Sequence, residues 1–142
     1  MLGAADDKFA QGDDGSLVLS GDFHGTRILL LGDLGRAGQE LLLKRAADMR
    51  ADIVVTGLPE EGEALSNGLI DAIQPRLVVI ADSEFPATRR AGRALKDRLE
   101  KRGLAVIYMR TARAVTVKAN PDGWSVRTMN GVEFRGAPAR SN

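Results

Sequence analysis

The sequence predicts an α/β fold, a mostly parallel sheet with an antiparallel edge, and three observations carry that prediction. Short apolar runs recur at Ile28–Leu31, Ile53–Val55 and Leu77–Ile80. Each is strand-sized, and such runs suit strands buried on both faces. Between them lie segments of helical apolar period, so successive strands are joined through helices, the signature of parallel pairing. Turn signals flank the series, H-G at 24–25 and N-P-D-G at 120–123.

In chain order, residues 1–15 are rich in Gly, Asp and Ala and read as a flexible N-terminal tail. Ser16–Phe23 and Thr26–Leu31 read as two strands of a hairpin, with His24 a solvated residue at its turn. G-D-L-G at 32–35 precedes a helix over Arg36–Arg50, where Leu41, Leu42, Ala46 and Met49 share a face and Glu40 faces Lys44. Ile53–Val55 is a strand, and G-L-P-E-E-G-E at 57–63 breaks the pattern. Ala64–Ile73 is a helix stopped by Gln74-Pro75, and Arg76–Ala81 is a buried strand leading into D-S-E-F-P. Pro86 suits a first helical turn, Ala87–Arg102 is amphipathic with Leu95 and Leu99 on its apolar side, and Gly103 is a C-cap. Leu104–Met109 is the next strand, and Ala114–Lys118 pairs with Trp124–Thr128 as a hairpin. The order is ββ-α-β-α-β-α-β-ββ over a domain spanning 16–135, with 136–142 a disordered tail.

The 142 residues suffice for one domain with a substantial core. No apolar run approaches the roughly 18 residues of a membrane span, and no basic segment followed by an apolar one opens the chain. These features predict a cytoplasmic protein, unless the domain belongs to a larger membrane protein. The absence of cysteine excludes disulfides, thiolate catalysis and cysteine-based zinc sites. His24 is the single histidine, so one chain cannot supply the two or three imidazoles of a usual catalytic zinc or iron site. Carboxylates could still hold magnesium, calcium or manganese.

The net charge of +1 hides a division: residues 1–85 carry 7 Lys/Arg against 15 Asp/Glu, and residues 86–142 carry 13 against 4. Such halves either attract one another within the fold or between subunits, which is the ordinary outcome, or present a surface to nucleic acid. Three strand exits deliver acids: Asp33, then Glu60 and Glu61, then Asp82 and Glu84. If the strands are neighbours these acids share one rim, either as oxygen ligands for a hard cation or as caps of the following helices. G-D-L-G-R-A-G lacks the dinucleotide spacing and the P-loop lysine, and no serine sits in a nucleophile elbow. Arg89, Arg90, Arg93 and Lys96 head a basic helix that either faces solvent or neutralises phosphates of DNA without sequence preference. Few aromatics surround it, which argues against base stacking.

Four segments in order resemble the C-terminal half of the metallo-β-lactamase-fold domain of the ComEC family, the DNA-uptake proteins of bacterial competence. They are S-L-V-L with G-T-R-I-L-L-L-G-D at 16–19 and 25–33, A-D-I-V-V at 51–55, D-A-I-Q-P-R-L-V-V-I at 71–80, and R-L-E-K-R-G-L-A-V-I-Y-M-R-T-A-R-A-V-T-V at 98–117. Together they span roughly residues 14–120. The resemblance implies a mixed sheet with helices on one face, a zinc cofactor, and Asp33 as a metal ligand. It places Glu60, in P-E-E-G-E, where the family has a histidine of P-H-H-G-S, and Phe85, in E-F-P, where the family has G-H-P. The family's H-x-H-x-D-H motif has no counterpart, so the dinuclear zinc hydrolase fails on this chain.

The expectation is therefore a degenerate, non-catalytic half domain with a structural or interaction role linked to DNA uptake. Alternatives are a metal-dependent phosphodiesterase or nuclease using Asp33 and nearby carboxylates, and a nucleic-acid module using the basic helix. A lone half of the αββα sandwich would expose the inner face of its sheet, so self-association as a homodimer is expected.

Overall fold

The structure, a computed structural model, describes residues 2–3, 17–45, 48–60 and 62–137. It is an α/β fold built on a mixed six-stranded sheet: β1 (Leu2–Gly3), β2 (Leu17–Phe23), β3 (Thr26–Gly32), β4 (Ile53–Thr56), β5 (Leu77–Ile80) and β6 (Val106–Tyr108). The spatial order follows the chain order without a reversal. β1, β2 and β3 pair antiparallel, and β3 to β6 pair parallel. At the β2–β3 turn His24 and Gly25 take φ of 56° and 88°, the paired positive values that match the twist of a two-residue hairpin. The Asp22 carboxylate accepts the Gly25 N–H at 2.9 Å.

Right-handed crossovers that always step in the same direction leave every connecting helix on one face of the sheet. Helices α1 (Arg36–Arg45), α2 (Asn67–Ile73) and α3 (Arg93–Lys101) obey this. Leu42, Leu69, Ile73, Leu95 and Leu99 bury against Val18, Leu29, Leu31, Val54, Val78 and Ile80. The other face meets a second, three-stranded antiparallel sheet of β7 (Val115–Asn120), β8 (Gly123–Thr128) and β9 (Glu133–Gly136), entered through the short helix α4 (Met109–Ala112). Ile53, Leu77, Val79 and Ile107 pack there with Trp124 and Val126.

That second sheet corrects the expectation of a bare inner face: the chain covers most of it itself. What stays open is a strip on β2 and β3, where Phe23 is 50% and Leu30 is 40% exposed. Local boundaries also differ. Among the described residues the first helix ends at Arg45, and Asp48–Arg50 are not helical. The helix expected from Ala64 starts at Asn67, because Ser66 caps it by accepting the Leu69 N–H and takes the side-chain oxygen of Gln39 on its own N–H. The basic helix expected over 87–102 is interrupted: Ala87–Arg89 form a 3-10 turn and α3 begins at Arg93. Leu2–Gly3 pair with β2 inside what reads as a loose tail, while residues 4–16 and 138–142 lie outside the described residues. The expected domain end at 135 falls within β9, whose Gly136 pairs with Trp124.

Coverage of the two faces sets a test. Leu77 is fully buried, so Leu77→Ala should cost about 2–5 kcal/mol in denaturant unfolding. Leu30→Ala should cost under about 1.5 kcal/mol, since much of its side chain already meets water. Equal costs would contradict the placement of β7–β9.

Candidate functional site

The parallel strands deliver their C-terminal ends to one edge, where ligand sites of α/β sheets form. At the end of β3 the register slips: Leu30 pairs with Val55 and Gly32 with Thr56, so Leu31 is the extra residue of a bulge. Gly32 takes φ of 61°, and its carbonyl accepts the Gly57 N–H at 2.7 Å. The bulge lays the Asp33 carboxylate against Gly57, where a Cβ would stand 1.8 Å from Oδ1. Any other residue at 57 forces that carboxylate to move. Arg89 Nη1 sits 3.5 Å from Asp33 Oδ2 and donates to the Leu58 carbonyl at 3.0 Å. A guanidinium thus supplies the positive charge beside Asp33.

The exit of β5 is built differently. The Asp82 carboxylate is fully buried; Oδ1 accepts the Arg110 N–H at 2.9 Å and Oδ2 the Ala91 N–H at 3.2 Å. Arg110 Nε lies 3.8 Å from Asp82, and its Nη1 donates to Glu84 Oε2 at 2.8 Å. Arg90 Nε donates to the Glu84 carbonyl at 2.9 Å. The Arg110 hydrogen bond holds the Glu84 carboxyl below the usual range, and Glu84 in turn raises Arg110. Asp82 therefore ties the loop before α3 to the start of α4, a structural role.

Glu60 is exposed, Phe85 is 79% exposed, Glu61 lies outside the described residues, and His24 is exposed at its turn. Among the described residues no three His, Asp or Glu side chains come together as a cation site. The donor set does not fit zinc: Asp33 faces a guanidinium, both Asp82 oxygens hold backbone N–H groups, and Phe85 has no donor atom.

Of the expected nucleic-acid residues, Arg89 and Arg90 are engaged with Asp33 and Glu84, Arg93 is exposed, and Lys96 Nζ lies 5.1 Å over the Tyr108 ring. The pairs Arg89–Asp33, Arg90–Glu84, Arg98–Glu63, Arg102–Asp71 and Arg110–Asp82 join the basic second half to the acidic first half. Five of the second half's thirteen cations thus meet acids of the first half within the fold.

Two buried polar groups escape sequence reasoning. Gln39, 2% exposed, donates to the Leu34 and Glu63 carbonyls and accepts the Ser66 N–H, clamping the 57–66 loop to α1. Asp52 accepts the Arg27 N–H at 2.8 Å while its backbone carbonyl accepts the Arg76 and Leu77 N–H groups, joining three strand starts. Nothing in helix or strand periodicity marks either residue; only the A-D preceding Ile53 hints at Asp52.

No family model matches the sequence, and no curated protein matches it. Among the described residues no helix is long and apolar enough to cross a membrane.

The two acids predict different outcomes. Asp33→Ala removes a half-exposed pair and should cost at most about 1 kcal/mol. Asp82→Ala strips a buried carboxylate from Arg110 and two N–H groups and should cost about 3–5 kcal/mol. A reversed order in urea unfolding would contradict these roles. Because Glu84 titrates lower folded than unfolded, its contribution is present above its ordinary value of 4.5 and lost as pH falls through the lowered folded value. Glu84→Gln should therefore flatten the acid limb of the stability curve, and parallel limbs for variant and parent would refute the pairing.

Proposed function

We propose that this chain is a non-catalytic α/β domain of ComEC-like, metallo-β-lactamase type, with a structural or interaction role connected to DNA uptake. The observation that carries the reading is the Arg89 guanidinium between Asp33 and the Leu58 carbonyl. A hydrolase of that type needs a cation held by several ligands at this edge, and here a side chain of the protein provides the charge. The sequential sheet with all three crossover helices on one face agrees with the half domain that the four motifs resemble.

Titration with zinc and manganese by calorimetry, alongside hydrolysis of bis(p-nitrophenyl) phosphate, tests the reading. It predicts neither stoichiometric binding nor turnover. One equivalent of bound metal with turnover abolished by Asp33→Ala would establish instead the metal-dependent hydrolase, with Glu60, Asp82 and Glu84 as further candidates. Direct DNA binding retains Arg93 and Lys96 of its four cations, too few for the steep salt dependence of a phosphate-tracking surface.

Self-association, on this reading, uses the open strip of β2 and β3. Leu19, Phe23, Ile28 and Leu30 share that face, and the Phe23 ring lies against Gly21, where a Cβ would meet it at 2.7 Å. Sedimentation at micromolar concentration should show a dimer that Phe23→Ser with Leu30→Ser dissociates. A parent protein that stays monomeric contradicts the homodimer and leaves the non-catalytic reading standing.

A further inference from the structure

We infer that β7, β8 and β9 form an exchangeable unit, which in a second form of this protein covers the inner face of another copy's sheet. The joint is Arg113, between α4 and β7, with φ of 70° and ψ of −56°. The Ala114 N–H donates to the Ala112 carbonyl at 2.8 Å, a bond from residue i+2 to residue i across that joint. This is the γ-turn of positive φ, rare and strained for a residue that carries a Cβ. Packing of its own side chain does not explain the strain, because Arg113 is exposed. Its neighbours are what is held. Ala112 is 3% exposed in the core beneath the second sheet, and the Ala114 carbonyl accepts the Met129 N–H at 2.9 Å. The chain must reverse in the one residue left between them.

The unit beyond this joint is self-contained. β7 pairs with β8 and β8 with β9, and among the described residues no strand of this sheet pairs with the six-stranded one. Apolar packing attaches it, with Trp124 and Val126 in one cluster with Ile53, Leu77, Val79 and Ile107. Arg76, just before β5, adds two contacts. Its Nη1 donates to the Ala137 carbonyl at 2.6 Å, and its guanidinium lies 5.7 Å from the centroid of the Trp124 ring. None of these contacts depends on the two sides belonging to one chain.

The occupant of the inner face is therefore specified by the chain itself. A second copy's β7–β9 brings the same Trp124, Val126 and Ala137 groups to Ile53, Leu77 and Arg76, so exchange keeps the interface of the closed form. Two effects then decide between the forms. Association opposes exchange through the freedom that two chains lose. Relief of the Arg113 turn at both joints favours it, since an open joint takes ordinary extended backbone, and short hinges under strain invite exchange. Leu77 and Val126 are fully buried, so opening is rare, and newly folded dilute protein holds the closed form.

The test uses the full chain carrying Phe23→Ser and Leu30→Ser, so that the open strip of β2 and β3 does not hold two copies together. The protein is kept at submillimolar concentration in urea near its unfolding midpoint, returned to buffer and sized by light scattering. A dimer should accumulate during the incubation and persist on dilution. Arg113→Gly, where glycine takes positive φ without strain, should lower the dimer association constant at least about tenfold. Arg113→Val, β-branched at positive φ, should raise it. In dimers of one isotope-labelled and one unlabelled chain, nuclear Overhauser contacts should join Trp124 or Val126 of one chain to Ile53, Leu77 or Val79 of the other. A chain that stays monomeric after this treatment, a dimer without those cross-chain contacts, or an equal association constant in Arg113→Gly each overturns the proposal.

Discussion

β5 must be buried on both faces. Leu77, Val78, Val79 and Ile80 are each at most 3% exposed, and side chains of this kind contribute roughly 1.5–3 kcal/mol each when withdrawn from water. A parallel strand of continuous apolar sequence is stable only between two covering layers. α1, α2 and α3 supply one layer because successive right-handed crossovers place them together, and β7–β9 supply the other. The positions of both candidate sites follow: the strand-exit edge and the open β2–β3 strip are what this double covering leaves exposed.

Acids near the strand exits do three separate jobs. Asp33 lies across Gly57 and faces Arg89, half in solvent. Asp82 is fully withdrawn and binds two backbone N–H groups, replacing secondary structure where the chain leaves β5. Glu84 meets Arg110 at the surface. A rim of acids can look like one cation site in a linear sequence, yet here Asp33 meets Arg89, and Asp82 and Glu84 share Arg110. The charge division between the two halves of the chain is the same fact at larger scale, since five of the cross-half ion pairs join elements that lie beside one another in the sheet and its helices.

The strands were legible because burial leaves apolar runs, complete on both faces for L-V-V-I and on one face for I-L-L-L, whose Leu30 stays on the open strip. The β2–β3 hairpin was legible through H-G, and the β7–β8 hairpin through N-P-D-G. The start of α1 at Arg36 was legible after G-D-L-G, but those of α2 and α3 were not, because tertiary contacts set them: the Ala91 N–H goes to Asp82, and Ser66 is held by Gln39. β9, E-F-R-G, is too short and too exposed for alternation to show. At the site, the acids themselves stood out, but their partners did not. Asp33 and Arg89 are 56 residues apart, and no spacing rule joins them.

This chain buries both faces of β5 without a second copy. Hydrogen exchange at the β5 amides, followed on serial dilution, tests it most directly. In the monomeric Phe23→Ser/Leu30→Ser variant, Val78–Ile80 should stay protected at the level of global unfolding, independent of protein concentration. Protection that falls on dilution would show that β7–β9 do not cover the inner face and that a partner is needed to complete the core.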